Sequence, residues 1–191
     1  FASEFCGENR CELDRDNFDY VYLSKNLLEL KGKRYDGKRN RVKKFEKSHS
    51  YRYLRLSGEH LDDCRLLLEE WLAAKASTDG LLGAQRDAIL ESLRYFEALR
   101  LVGGVIEVEG KIAAFSIGEK LRKDTAVIHI EIVSPKYEGL SQVMNHEFIR
   151  NEWSAYKFIN REQDLGIAGL RRAKISYNPH HMVKKYNIFR K

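Results

Sequence analysis

Cysteine and proline are scarce in this sequence, and their scarcity narrows the classes of protein to consider. The 191 residues include three cysteines, Cys6, Cys11 and Cys64, and no Cys-x-x-Cys pair. An odd count without paired spacing argues against a disulfide framework and against a zinc site. Cys6 and Cys11 could pair, but reduced thiols are the simpler expectation. With only two prolines, long irregular segments are not expected.

Long apolar runs are absent as well. No uninterrupted apolar stretch approaches the ~18 residues of a membrane-spanning helix, and the N-terminal residues have no signal-peptide pattern. We therefore predict a cytoplasmic protein, with contact at a membrane surface left open. A hydrophobic content of 43% and a charged content of 32% are typical of a globular domain. We predict one domain over residues 17–191, preceded by a linker or the remnant of another unit over residues 1–16.

Positive charge is concentrated in two zones. The first basic zone, residues 31–47, has nine basic and two acidic residues, and the second basic zone, residues 165–191, has seven basic and none acidic. Because the whole chain has a net charge of only +6, the rest of it is acidic. Such zones suggest a polyanionic partner, although a solvated helix face is the alternative for the first zone. The phosphate-binding candidates are Lys33, Arg34, Lys38, Arg39, Arg41 and, in the second zone, Lys174.

Hydrophobic periodicity predicts an α+β chain. We predict strands over residues 19–23, 51–56, 105–109, 112–117, 124–133, 155–159 and 182–189. We predict helices over residues 25–30, 34–47, 59–75, 85–101 and 138–153, and a further helix from residue 167. Strict alternation along the fifth strand places Ala126, Ile128, Ile130 and Ile132 on one face. The order of these elements predicts a central, mostly antiparallel mixed sheet flanked by helices.

A cluster of polar side chains lies between a predicted strand and a predicted helix. Asn160, Arg161, Glu162 and Asp164 follow the strand directly, and ligands often bind beyond the carboxyl ends of strands. Arg161 suits bidentate binding of a phosphate or a carboxylate. The alternative is a solvated loop with an Asp-x-Gly helix entry. We name these four side chains as catalytic candidates and expect Lys174 to face the same cleft.

A second candidate pair lies on the strand over residues 124–133. His129 and Glu131 are two residues apart, so both are expected on the same side of the strand. They suit a general base with its orienting carboxylate. The alternative is a core histidine beside a salt-bridged glutamate. Because no third ligand is near in sequence, no metal site is predicted.

Four segments of the sequence resemble those of a known family. They are FINREQDLG (residues 158–166) with GLRRAK (169–174) and SYNP (176–179); GKRYDGKRN (32–40); the glycines from Gly103 to Gly118; and HIE (129–131) with YEGL (137–140). The chain is identified by them as similar to the phosphatidylglycerol lysyltransferase C-terminal-like family over most of residues 17–186. The resemblance implies an acyl-CoA N-acyltransferase (GNAT-like) fold, related to Fem-type aminoacyl-transferases. It also implies an additional N-terminal acyltransferase-like half, which this chain is expected to lack. We add Tyr137 and Tyr177 as cleft candidates.

The resemblance implies a transferase that takes an aminoacyl group from aminoacyl-tRNA, with no tightly bound cofactor. Residues 134–140 contain one glycine rather than the Gly-x-Gly/Ala spacing that lets a backbone approach pyrophosphate, so acyl-CoA is the alternative donor. A lipid head group, a peptide or a small amine is the expected acceptor. A non-enzymatic phosphate- or nucleic-acid-binding fragment is the third hypothesis. The transferase hypothesis requires that the two basic zones flank one cleft.

Overall fold

A seven-stranded sheet forms the centre of the molecule. A computed structural model describes residues 10–75 and 82–189; residues 1–9, with Cys6, and the cations Arg190 and Lys191 lie outside the described residues. The strands are β1 (Arg10–Leu13), β2 (Asp19–Leu23), β3 (Tyr51–Arg55), β4 (Val102–Val108), β5 (Lys111–Arg122), β6 (Thr125–Val133), β7 (Phe158–Asn160), β8 (His181–Val183) and β9 (Tyr186–Phe189). The helices are α1 (Ser24–Glu29), α2 (Asp36–Ser48), α3 (Leu61–Lys75), α4 (Leu82–Arg94), α5 (Leu140–Phe148) and α6 (Ala168–Ile175).

The sheet has the order β3-β4-β5-β6-β7-β2-β8, and every neighbouring pair is antiparallel except β6 and β7. Helices pack on it from both sides, so the predicted α+β class with a mostly antiparallel mixed sheet is confirmed. Adjacent residues of the central strands point to opposite faces and join two separate cores. Val105 and Phe115 pack with α3 and α4, whereas Ile106 and Ala114 pack with α2 and α5.

One prediction about β6 was wrong. Ala126 and Ile128 belong to the core under α2 and α5, but Ile130 and Ile132 belong to the core under α3 and α4. The reason is a β-bulge: Ile117 of β5 pairs with Ile130 and the next residue, Gly118, pairs with Ile128, so His129 is an extra residue. An extra residue reverses the alternation of side chains beyond it.

Gly118 faces the bulge at close range, and this gives a first prediction. A Cβ atom at this position would lie 2.3 Å from the carbonyl oxygen of Val127, which only a backbone shift could relieve. We expect Gly118→Ala to lower the free energy of unfolding by about 2 kcal/mol, measured by urea denaturation. Gly37→Ala is the control, because a Cβ there meets no atom within 4 Å and α2 should be unchanged or slightly stabilised. Equal stabilities for the two variants would contradict the prediction.

The two ends of the chain differ from the sequence-based expectation. Residues 10–13 form β1, which pairs with β9 in a separate two-stranded sheet; a linker or the remnant of another unit was expected over residues 1–16. The single strand predicted over residues 182–189 is divided into β8, which joins the large sheet beside β2, and β9. Cys11 is disulfide-bonded, so the reduced thiol expected there is not found; Cys64 is free and buried. Among the helices that the structure describes, none is both long and apolar enough to span a membrane.

Candidate functional site

A cleft opens where β6 and β7 separate. These parallel strands pair over only three residues each, from Thr125 with Phe158 to Val127 with Asn160. Beyond that point no described strand pairs with the edge of β6 that faces β7, which leaves main-chain polar groups there without a ladder partner. A cavity of about 630 Å³ occupies the gap. Its lining comes from β6, from the turn after β7, from α2, α4, α5 and α6, and from the residues just after α6.

An ion pair closes the deep end of the cleft. Nη2 of Arg161 donates to Oε2 of Glu131 at 3.0 Å, and both side chains are largely buried. The hydroxyl of Ser141 on α5 donates to the other oxygen of Glu131 at 3.2 Å. The Arg161 guanidinium also lies 5.1 Å from the ring centre of Tyr177 and 6.0 Å from that of Tyr22. The sequence suggested Glu131 as the orienting carboxylate of His129. That prediction is wrong, because Glu131 pairs with Arg161 instead.

His129 contacts two other carboxylates. Its Nδ1 lies 2.7 Å from Oε1 of Glu162, after β7, and its Nε2 lies 3.2 Å from Oε1 of Glu119, on β5. The hydrogen bond with Glu162 raises the pKa of His129 above its ordinary value; burial opposes this rise and Glu119 adds to it. The imidazole is therefore held towards its protonated form, which makes it a poor general base.

Lys174 brings an amine into the same cleft from α6. Its Nζ donates to the main-chain carbonyls of Arg161 and Glu162. Burial, together with the nearby guanidinium of Arg161, lowers the pKa of Lys174 to about 8. Burial likewise raises the pKa of the neighbouring Tyr177 to about 12. Lys174 is thus a cleft side chain that can lose its proton near neutral pH. Sequence reasoning had assigned it only to phosphate binding.

The two basic zones meet at this cleft. Lys38 and Arg41 of α2 line it opposite Arg172 and Lys174 of α6. Nζ of Lys38 donates to Oγ of Ser176 at 2.6 Å and lies 4.6 Å from the Tyr177 ring centre. Among the described residues, Arg41 and Arg172 are in no ion pair. The requirement that both zones flank one cleft is therefore met.

Several predicted residues have positions that serve the fold instead. Asp164 is fully buried and accepts hydrogen bonds from Tyr20, Arg15, Arg171 and the main-chain N–H of Gly166. The hydrogen bonds from Arg171 lower the pKa of Asp164 far below its usual range, although burial opposes them. This carboxylate anchors the start of α6 and does not line the cleft.

Asn160, Arg39 and Tyr137 also lie outside the cleft lining. The Asn160 amide donates to Asp19 at 3.1 Å, and its oxygen accepts the N–H of Glu162 at 2.7 Å. Arg39 donates to Asp36 and to the carbonyl of Leu30, and Tyr137 packs edge-on against Phe45 and His49. Lys33 and Arg34 belong to the turn before α2 and do not line the cleft.

Other cleft residues were missed by sequence reasoning. They are supplied by elements whose approach depends on the tertiary fold, and the ones used below are Glu119, Ser141, Leu165, Leu170 and Arg172. Only Arg172 carried a usable signal, as part of the second basic zone. In the part of the chain that the structure describes, no group of three or more histidine, cysteine, aspartate or glutamate side chains suits a metal ion.

Comparison with known proteins shows the family to which this chain belongs. The family described as "Phosphatidylglycerol lysyltransferase, C-terminal" matches residues 2–189. The chain belongs to this family. No protein with a curated description matches it. This phosphatidylglycerol lysyltransferase C-terminal chain is similar to a conserved protein of unknown function from Bacteroides thetaiotaomicron VPI-5482. The two are 36% identical, and they superimpose with a TM-score of 0.92 over 97% of this chain and 63% of that one.

Two further solved structures extend the likeness of this lysyltransferase-family chain. L-PGS from Bacillus licheniformis is 20% identical, with a TM-score of 0.69 over 96% of this chain and 62% of that one. A tandem GNAT protein from the clavulanic acid biosynthesis pathway is 8% identical, with a TM-score of 0.51 over 97% of this chain and 57% of that one. At these identities the likeness concerns the fold, and the predicted GNAT-like fold is confirmed. The chain spans less than two thirds of the length of each of these proteins.

Proposed function

We propose that the cleft transfers an aminoacyl group from aminoacyl-tRNA to an acceptor that bears an anionic group. The observation that carries this proposal is the convergence of cations from α2 and α6 on the gap between β6 and β7, beside the Lys174 amine. A polyanionic donor suits the two basic zones. Membership of a lysyltransferase family supports the same class of reaction.

The cleft contains groups for each need of acyl transfer. Unpaired main-chain donors along β6 can hold the ester carbonyl oxygen as negative charge develops on it. Neutral Lys174 can take the proton of the acceptor hydroxyl or amine, since two of its hydrogens stay on the carbonyls of Arg161 and Glu162. The acceptor atom then bonds to the carbonyl carbon, the bond to the ribose oxygen breaks, and the proton passes to that oxygen. Lys174 is neutral again at the end.

The packing of α5 supports aminoacyl-tRNA over acyl-CoA as the donor. In acyl-CoA users of this fold, backbone at the start of this helix must approach a pyrophosphate. Here Gly139 precedes α5 with φ of +90°. The space beside its Cα is filled by the carbonyl oxygen of Arg41, which would lie 2.9 Å from a Cβ atom at this position. The carbonyl of Arg41, on α2, therefore occupies the space beside the residue that precedes α5.

The rim of the cleft supports an amphiphilic acceptor. Leu165 and Leu170 line the cleft yet stay substantially exposed, at 47% and 38%. Arg172, on the same helix as Leu170, lines the same cleft. An anionic lipid head group would place its charge on the cations and its apolar part against these leucines, and a peptide with an acidic residue is the alternative acceptor.

Binding of tRNA tests the proposal. We expect Lys38→Ala/Arg41→Ala to weaken binding of lysyl-tRNA in a filter assay and to reduce the slope of log K against log salt by roughly 1–2, since each lost phosphate contact removes about 0.7–0.9. Lys120→Ala/Lys123→Ala removes the same charge from the exposed end of the β5–β6 hairpin and should bind like the wild type.

Three outcomes separate the hypotheses. Salt-dependent binding with transfer to phosphatidylglycerol vesicles supports the proposal. Binding without transfer to any acceptor favours the non-enzymatic module. Absence of tRNA binding, with thermal stabilisation by acetyl-CoA, would replace the proposed donor with acyl-CoA; about 2.7 kcal/mol is expected at a hundredfold excess over the dissociation constant.

A further inference from the structure

Two side-chain bridges cross the gap in which β6 and β7 no longer pair. One is the Arg161–Glu131 ion pair at the deep end, and the other is the 2.7 Å contact of His129 with Glu162. The first joins a guanidinium to a carboxylate, and both side chains are largely buried. The second depends on the protonation of an imidazole whose side chain is 32% exposed.

The bulge in β6 explains how His129 can bridge. As the extra residue between two paired positions, it is released from the regular alternation of the strand. Its ring contacts Glu119 on the neighbouring strand β5 with one nitrogen and Glu162, beyond the gap, with the other. An imidazolium donates from both nitrogens, whereas a neutral imidazole has one donor and one acceptor. Only the protonated form satisfies both carboxylates.

Glu162 connects this bridge to the reactive part of the cleft. It has a left-handed backbone, with φ of +54°, and its N–H donates to Asn160. Its carbonyl accepts the N–H of Tyr20 at 3.1 Å and also the Nζ of Lys174. A displacement of Glu162 therefore moves one of the two carbonyls that hold the Lys174 amine.

We propose that protonated His129 is a positioning residue of the cleft, which ties Glu162 to Glu119 and so fixes the Lys174 amine relative to β6. This proposal rests on the proposed transfer function for its effect on rate, but the bridge itself can be tested without it. The rise in the pKa of His129 caused by Glu162 agrees with the geometry. The charged groups that face or neighbour His129 are Glu119 from β5, Glu131 from β6, Arg161 and Glu162 from the turn after β7, and Arg172 and Lys174 from α6.

The sign of the pH dependence follows from this arrangement. The folded pKa of His129 is higher than the unfolded value, about 6.5. The bridge is therefore complete below that unfolded value and is lost as the pH rises through the folded pKa. Lys174 needs the opposite change, because it acts as a base only after losing its proton. Transfer should show a bell-shaped pH profile, with the rising limb from Lys174 and the falling limb from His129.

The test compares His129→Gln with His129→Arg. Glutamine is uncharged, and its single donor nitrogen cannot bridge both carboxylates. We therefore expect kcat/KM for transfer from lysyl-tRNA to fall about tenfold to a hundredfold. Arginine is a permanent cation with a forked set of donors, so it should recover most of the rate and abolish the falling limb. His180→Gln, at an exposed histidine outside the cleft lining, should match the wild type.

Hydrogen exchange gives an arm that needs no transfer activity. The pKa of His129 is first measured by NMR. In the wild type, amide exchange in residues 161–166, divided by the intrinsic rate at each pH, should increase as the pH rises through that pKa, because the bridge to Glu162 is then lost. The rise should be absent in His129→Arg. If exchange behaves in this way while no variant transfers lysine, the positioning role stands and the proposed reaction fails. Two results would overturn the proposal. One is His129→Gln with the same amide exchange and the same pH profile of transfer as the wild type, and the other is His129→Arg with a rate as low as that of His129→Gln.

Discussion

Replacement of Asp164 with alanine should lower the free energy of unfolding by about 3 kcal/mol. The carboxylate is fully buried and holds two arginines and the Tyr20 hydroxyl together at the start of α6. Removal of one partner from a buried ion pair typically costs about 3–5 kcal/mol, and the lower figure applies because Arg15 and Arg171 remain about a third exposed. Urea denaturation at neutral pH measures the loss directly.

A matched control and a pH series complete that experiment. Asp62→Ala removes a carboxylate that is 91% exposed and pairs with Arg65, so it should cost less than about 1 kcal/mol. Because Arg171 lowers the pKa of Asp164 in the folded state, the contribution is complete above the unfolded pKa, about 3.9. It is lost as the pH falls through the folded pKa. A difference between wild type and variant that persisted unchanged at pH 2 would contradict this account.

Replacement of Lys174 with methionine should reduce the rate of aminoacyl transfer by at least about a hundredfold, the lower range for removal of a general base. Methionine keeps much of the apolar stem but has no proton acceptor. In the His129→Arg background, which lacks the falling limb, the rate should rise with pH through about 8, because burial and Arg161 lower the pKa of Lys174 to that value. The measurement is single-turnover transfer from lysyl-tRNA across a pH series.

Lys174→Arg distinguishes a base from a phosphate contact. Arginine keeps a positive charge but does not lose its proton in this range. We therefore expect binding of lysyl-tRNA to be retained in this variant while the rate stays as low as in Lys174→Met. An arginine variant that transfers at the wild-type rate would show that Lys174 contributes charge alone, as the sequence had suggested.

The order and type of the main elements could be predicted because they follow from local patterns. Residues 19–23 and the hairpin around Gly110 have the periodicity and turn residues of strands, and the structure places β2, β4 and β5 there. The second helix was likewise expected from its apolar side, with Val42 and Phe45 buried. These signals are contained within each segment, so a single sequence is enough to show them.

The pairing of side chains across the site could not be predicted in the same way. His129 and Glu131 are two residues apart, but the bulge gives them different partners. The bulge results from the register between β5 and β6 and from the close approach at Gly118. Asp164 and Arg161 are close in sequence and both polar, yet one is enclosed by Tyr20 and Arg171 and the other faces Glu131. Neither distinction is visible without tertiary contacts.

The short contact between β6 and β7 has a consequence for how this domain can vary. Past Val127 the gap between the strands is spanned by the side chains of a few residues, and main-chain hydrogen bonds do not set its width. Substitutions at positions 129 and 162 can therefore change the width of the gap, whereas one at position 161 would also remove contacts with the core residues Tyr22 and Tyr177.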